Sequence, residues 1–386
     1  MQNPSRPRPA NTEVDAMRNR KGMRSLLGAL LGLAAFLAAQ GVWARQPSGE
    51  DAAEDASVLD NSNCPPDPNP AVTPPRCPWY VRAEGVMLLR DAEDATNMAA
   101  LNAPANIVLS TRDLDYPFKG GPRLLVGHTL NPWNQVEVSY FGLEHWGDAV
   151  AIRDDTANAL GSLGNLASPF SNFGNPKVPG LDYNNFVSIS AKSTLDNGEV
   201  NWRHVLDMPP GRLSTSLLLG MRYMSIREQF DYDSASAEPD PLGAENSLQI
   251  GTGNKLFGVQ LGALLEVYSE NRWWVNFEMK GAICQNDAKL RTDYRNVDQG
   301  ATTEFLSSRR EHGTSWVGDI ALTVVYRFSP RLNARFGYQA MWVTGLALAD
   351  ENFQRDVDIL RLGPPQINHT GTVVYHGPFA GIELAW

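Results

Sequence analysis

Six histidines, at positions 128, 145, 204, 312, 369 and 376, and three cysteines, Cys64, Cys77 and Cys284, have the widest chemical scope in this chain. A hydrolytic centre needs Ser, His and an acid or amide within hydrogen-bond reach. His312 with Ser315, or His128 with nearby acids, would supply the types, but no motif selects either set. Cys64 and Cys77 flank a Pro-rich stretch and could close a disulfide in an oxidising compartment, or stay as free thiols. No histidine lies near enough to complete a zinc site with them. Asp231-Tyr232-Asp233, followed by Glu238 and Asp240, offers oxygen ligands for a weakly held calcium ion, and reads equally well as a solvated acidic loop. The sequence predicts no enzyme and no cofactor.

A larger set of polar residues recurs at every second position of apolar stretches. It comprises Arg82, Glu84, Glu137, Glu199, Arg203, Arg222, Gln260, Glu278, Lys280, Asp319, Arg327, Arg335, Gln339 and Glu383, with Asn201, Glu228 and Asn333 in the same phase. Such spacing puts them on one face of strands, with charges of both signs facing each other. If that face lines a lumen, two readings follow. The charges form a constriction that sorts ions and polar solutes, or they fill the interior and neutralise one another, as buried charges must.

The elements that would hold them are strands. Val136, Val138 and Tyr140 alternate with Gln135, Glu137 and Ser139; Val275, Phe277 and Met279 alternate with Asn276, Glu278 and Lys280. Ten long strands are predicted near residues 79–90, 120–129, 134–146, 197–207, 212–229, 253–267, 272–286, 314–328, 331–346 and 373–386. Most reach the roughly 9 to 11 residues that a tilted membrane strand requires. Short connections at 130–133, 208–211, 268–271 and 329–330 interleave with long ones at 91–119, 147–196, 230–252, 287–313 and 347–372. This rhythm suits an all-β, antiparallel, up-and-down transmembrane β-barrel of about ten strands (between eight and twelve), with both termini periplasmic and long extracellular loops. Trp79, Trp146, Trp202, Trp273, Trp342 and Trp386 lie near strand ends, where they would form aromatic girdles at the two membrane surfaces.

The flanking segments are unlike strands. Arg18, Arg20, Lys21 and Arg24 precede the apolar run Leu26 to Ala39, and Val42-Trp43-Ala44 resembles a cleavage site, so residues 1–44 read as a signal peptide. Met17 and Met23 offer later starts. Residues 45–78 hold six acids and eight prolines and read as a disordered periplasmic segment. Setting aside the six basic and two acidic residues of positions 1–44 leaves 27 basic against 41 acidic from totals of 33 and 43, an excess that argues against nucleic-acid binding. The expected partners are outer-membrane lipid and, during insertion, the barrel-assembly machinery. Oligomeric state is not encoded legibly.

The stretches WYVRAEGVMLL (79–89), LDNGEVNWR (195–203), LGMRYMSIREQF (219–230), NKLFGVQLG (254–262), FGYQAMWVTGLAL (336–348) and 374–386 resemble the family of outer-membrane beta-barrel porins numbered type seven. The resemblance implies a barrel in the outer membrane and brings no catalytic residues with it. Two functions follow for test: a porin-like passive channel for ions or small polar solutes, and a non-conducting scaffold or adhesin barrel that acts through its long loops. On the alternation alone, Arg at Val138 or Phe277 should hinder insertion more than changes at Glu137 or Glu278.

Overall fold

A computed structural model describes residues 78–386, apart from 93–94, 179, 207–212, 238–243, 269–271, 299 and 364–365. Thirteen strands follow one another: β1 (Trp79–Ala92), β2 (Asn97–Leu101), β3 (Ile107–Ser110), β4 (Lys119–Asn131), β5 (Asn134–Arg153), β6 (Leu166–Ala167), β7 (Phe186–Val205), β8 (Leu213–Ala235), β9 (Glu245–Tyr268), β10 (Trp273–Asp298), β11 (Ala301–Ser329), β12 (Leu332–Leu346) and β13 (Gly371–Ala385). Ten of them close an antiparallel barrel in the order β1-β13-β12-β11-β10-β9-β8-β7-β5-β4. Every barrel strand therefore pairs with its sequence neighbours, and β1 closes the ring against β13, with Trp386 N donating to Trp79 O at 2.9 Å. The remaining three form a small sheet, β3-β2-β6, built from two of the long connections. A six-residue helix α1 (Val357–Leu362), N-capped by Asp356, lies in the connection from β12 to β13.

The side chains explain both the closure and the height. Near the short-turn end the outward face is apolar and bare: Val138, Val200, Leu217, Leu219, Met221, Val259, Leu261 and Phe336 are all exposed, from 48% at Met221 to 66% at Leu261. The inward face at that level is polar. Further up each long strand the pattern inverts. On β8 the outward Tyr223 gives way to outward Arg227, while Met224, Ile226, Phe230 and Tyr232 turn inward and are buried. On β10 outward Ile283 gives way to Lys289 and Arg291, while Ala288, Leu290 and Tyr294 fill the inside. Below the inversion the wall is dressed for lipid; above it, for water.

This inversion explains a correction to the strand ends. The sequence pattern predicts strands that stop near 229, 286 and 314, with a long loop at 287–313. Instead β10 runs to Asp298 and β11 starts at Ala301, so that β10 and β11 are continuous partners over that whole stretch. β7 likewise begins at Phe186 and β9 at Glu245. At about 3.4 Å per residue, the 29 residues of β11 extend roughly 100 Å along the strand, well past a hydrocarbon core about 30 Å thick even at a steep tilt. A reading that expects apolar-out alternation takes the reversed phase for the end of the strand.

Candidate functional site: the filled lumen

All fourteen lumen residues predicted from sequence point inward. Near the short-turn end, twelve charged barrel residues form one continuous ion-pair system around Glu199. Its carboxylate accepts from Arg222 at 2.7 Å, Lys280 at 3.2 Å, Gln260 and Asn197 at 3.0 Å and Asn201 at 3.1 Å. Arg222 reaches on to Asp319 at 3.2 Å, and Lys280 to Asp319 and Glu278, both at 3.6 Å. Arg203 joins this half to the other: it lies 3.8 Å from Glu278 and 2.8 Å from Glu137. Tyr80 donates to Glu137 at 2.7 Å, and Arg82 lies 3.8 Å from the same carboxylate while pairing closely with Glu383. Arg335 then links Glu383 at 3.4 Å to Glu84 at 3.0 Å, and Arg123 closes the line on Glu84 at 3.1 Å and on the amide of Gln339.

The charged members are Arg82, Arg123, Arg203, Arg222, Lys280 and Arg335 against Glu84, Glu137, Glu199, Glu278, Asp319 and Glu383, six of each sign. The network is neutral. Arg327 lies over the Trp274 ring at 5.5 Å. A cavity of about 70 Å³ remains among these side chains. That is room for a few water molecules and far below the roughly 300 to 1,000 Å³ of a small-molecule site.

Above the network lies an apolar layer. Val86, Leu88, Leu143, Trp146, Leu195, Met224, Ile226, Leu256, Val317, Val343 and Tyr375 pack across the barrel. Trp146 was expected in a girdle; it is instead fully buried and donates Nε1–H to Leu88 O at 3.2 Å. The register of β5 shifts between Leu143 and Trp146, which turns the indole to the inside. The other five girdle tryptophans face outward, with exposures from 37% at Trp342 to 51% at Trp386.

A second apolar layer, nearer the long-loop end, is partly made of loops. Met98, Ala99 and Leu109 of the small sheet, Leu166, and Ala347, Ala349, Phe353, Leu360 and Ile367 of the β12–β13 connection are buried against Ile189, Phe230, Tyr232, Leu248, Ile250, Leu290 and Tyr294 of the wall. Phe353 stacks on Phe170 at 5.5 Å between ring centroids and meets Tyr232 at 5.7 Å and Phe230 at 6.2 Å edge-on. Between the layers a buried pair, Arg90 and Glu228, anchors the same connection, because Glu228 accepts from Ala349 N at 3.1 Å. Beside it, burial and the neighbouring Glu228 carboxylate raise the Asp350 carboxyl to about 6, although Arg90 acts in the opposite direction.

The sequence reading missed Arg123, Arg90 and the inward fold of the β12–β13 connection. Arg123 was legible, since Leu124 and Val126 alternate with it as on the other strands. Arg90 shares the phase of Arg82 and Glu84 at the last residue of a predicted strand. Phe353 carries no local signal, because its aromatic partners, Phe170, Phe230 and Tyr232, lie far away in sequence. The imagined hydrolytic sets are not assembled: Ser315 is buried and donates to Gly345 O at 2.8 Å, whereas exposed His312 lies on the opposite face, 3.7 Å from Asp287. His128 packs on Trp79 with ring centroids 4.2 Å apart. No group of three or more metal-ligating side chains occurs among the described residues. Cys284 is a buried free thiol, and the Cys64–Cys77 pairing lies outside the described residues.

The model of the family described as "Putative beta barrel porin-7" matches residues 87–373. The chain belongs to this family. The match covers most of the barrel wall, from the middle of β1 into β13, and the closed ten-stranded ring is the fold of this member. No curated protein matches the sequence. Among solved structures, the outer membrane protease OmpT from Escherichia coli aligns over 82% of this chain and 99% of its own, with 10% identity and a TM-score of 0.41. The toluene transporter TodX from P. putida aligns over 81% and 90%, with 6% identity and a TM-score of 0.26. A FadL homologue from Pseudomonas aeruginosa aligns over 80% and 90%, with 10% identity and a TM-score of 0.22. Likenesses this distant say nothing of what the present chain does.

Proposed function

We propose that this family member is a non-conducting outer-membrane barrel, a platform that works at its long-loop end and not through its lumen. The observation that carries the reading is that the interior is filled at successive levels: a neutral network of six cations and six carboxylates, then apolar layers completed by inward-folded loops. Ten strands are close to the eight whose interior side chains alone fill, and well short of the 16 to 18 that leave an aqueous channel. The lumen charges pair with one another, so none is held in reserve for a passing ion. The passive-channel reading retains the 70 Å³ cavity, but that space leads into buried apolar side chains.

In this reading the short turns and both chain termini of the barrel face the periplasm, the loops face outward, residues 1–44 direct export and 45–78 form a periplasmic tail. The test is single-channel recording of the refolded chain 45–386 in a planar bilayer. The expected trace is silent, and it stays silent when residues 350–367 are replaced by a short Gly/Ser linker, because the charged network still fills the lower lumen. Steady ohmic steps from the intact barrel would overturn the proposal in favour of a channel.

A further inference from the structure

The outward wall just above the lipid-facing band has an unusual charge. Two rows, polar only at Gln285 and Thr314, can be followed across β7, β8, β9, β10 and β11 by their register: Val200–Met221–Val259–Ile283–Trp316, then Gly198–Tyr223–Phe257–Gln285–Thr314. The next three rows on the same face are Asp196–Ser225–Lys255–Asp287–His312, Thr194–Arg227–Gly253–Lys289–Arg310 and Lys192–Gln229–Gly251–Arg291–Ser308. They hold six cations and two carboxylates, in a chain whose net charge is −10. Asp196 is engaged by Arg227 at 3.2 Å and Asp287 by Arg310. Lys192, Lys255, Lys289 and Arg291 are exposed, and none has an ion-pair partner among the described residues. The following row, Ser190–Asp231–Gln249–Asp293–Leu306, is acidic again, so the cations form a bounded band.

Within the band β9 presents no side chain at two successive outward positions. A Cβ added at Gly253 would meet nothing within 4 Å, and one at Gly251 only Glu228 O at 4.0 Å. With strands about 4.8 Å apart, Arg227 and Gln229 on β8 and Lys289 and Arg291 on β10 stand roughly 10 Å apart across this trough. That is wide enough for a phosphate group with a cation on either side. The apolar rows directly below would carry acyl chains.

We propose that the trough at Gly251 and Gly253 holds a phosphate-bearing lipid headgroup of the surrounding leaflet, with Arg227, Lys289 and Arg291 as its charge partners. Position favours this occupant: the cations adjoin the lipid-facing rows and lie where headgroups begin. Guanidinium and ammonium groups are suited to phosphate oxygens, and basic residues at a membrane surface attract anionic lipid.

The test uses the refolded barrel in non-ionic detergent, with bound lipid read by native mass spectrometry and folding checked by heat-modifiable gel mobility. The probes are diphosphorylated lipid A, phosphatidylcholine and inorganic phosphate. Lipid A should bind and phosphatidylcholine should not. The double variant Lys289→Gln/Arg291→Gln should weaken lipid A at least tenfold, and Gly253→Leu should do the same with every charge intact. If the glycine variant does not fold, the charge variant decides alone. Unchanged lipid A affinity in the folded variants would overturn the proposal. So would inorganic phosphate that competes as well as the lipid, since the site would then be one for a free anion.

Discussion

If Phe353 holds the β12–β13 connection inside the barrel, removing its ring should loosen that connection and nothing else. Phe353 is buried to 9% exposure and touches three aromatic rings, Phe170 and the Phe230 and Tyr232 pair of β8. A buried Phe→Ala change costs about 3 to 5 kcal/mol, the transfer loss plus the cavity left behind. With each 1.4 kcal/mol worth tenfold, the docked-to-open ratio should fall by roughly 10² to 5 × 10³. Where local opening governs amide exchange, the exchange rate rises by the same factor. Hydrogen exchange followed by mass spectrometry on peptides from residues 347–367 would read it directly; a useful reporter is the Leu360 amide, which donates to Asp356 O at 3.2 Å. Leu362, 84% exposed, is the matched control, and its change to Ala should alter nothing. The reasoning fails if Phe353→Ala leaves these peptides as protected as before. It fails equally if peptides from β8 and β10 accelerate to the same extent, for then the ring supports the barrel and not the plug.

Three further predictions concern the wall, the lumen and the plug. Val138→Arg, on the lipid face, should cost about 2 to 4 kcal/mol near mid-membrane and appear as lost insertion into vesicles. Glu137→Gln should not be the mild change that alternation suggests, because it removes the nearer of Arg203's two carboxylate partners, and its cost of about 3 to 5 kcal/mol should shrink in the double variant with Arg203→Met; urea unfolding that shows no coupling between the two would refute the pairing. Asp350 should make the plug tighten in acid. Its folded-state value near 6 lies above the ordinary 3.8, so the docked loop binds more protons and is favoured as pH falls from about 6 towards 4. Exchange of residues 347–367, corrected for intrinsic rates, should slow from pH 7 to pH 5 and lose that dependence in Asp350→Asn; a wild-type profile flat with pH would remove Asp350 from the account.

The sequence carried the lower half of the molecule well. Strand number, the short-turn ends and the inward phase of residues such as Glu199 and Arg335 follow from alternation, because below the inversion every strand repeats the same apolar-outward, polar-inward sense. It carried the upper half poorly. There the same period persists with opposite sense, as at Leu248 and Ile250 on β9, and a sequence rule tuned to lipid has no way to tell a reversed strand from a loop. Trp146 shows a second limit: one register shift in β5 moves an aromatic from the presumed girdle to the interior, and the shift leaves no mark in the local composition. Nor do ion pairs announce their partners. Arg82 and Glu383 are separated by almost the whole barrel in sequence and meet only because β1 closes on β13.

The evenness of the lumen network bears on how such a barrel can change over time. Six positive and six negative groups balance in a space holding a few waters, so any single replacement that alters charge leaves one group without a counter-ion where solvation is scarce. Accepted changes there should arrive as coupled exchanges: an acid and its base lost together, or their signs traded across the barrel. Divergence among relatives should then run freely through the loops and the lipid face, while positions in the lumen drift only in correlated pairs. Glu199, held by five donors from four strands, would be the slowest of all to move.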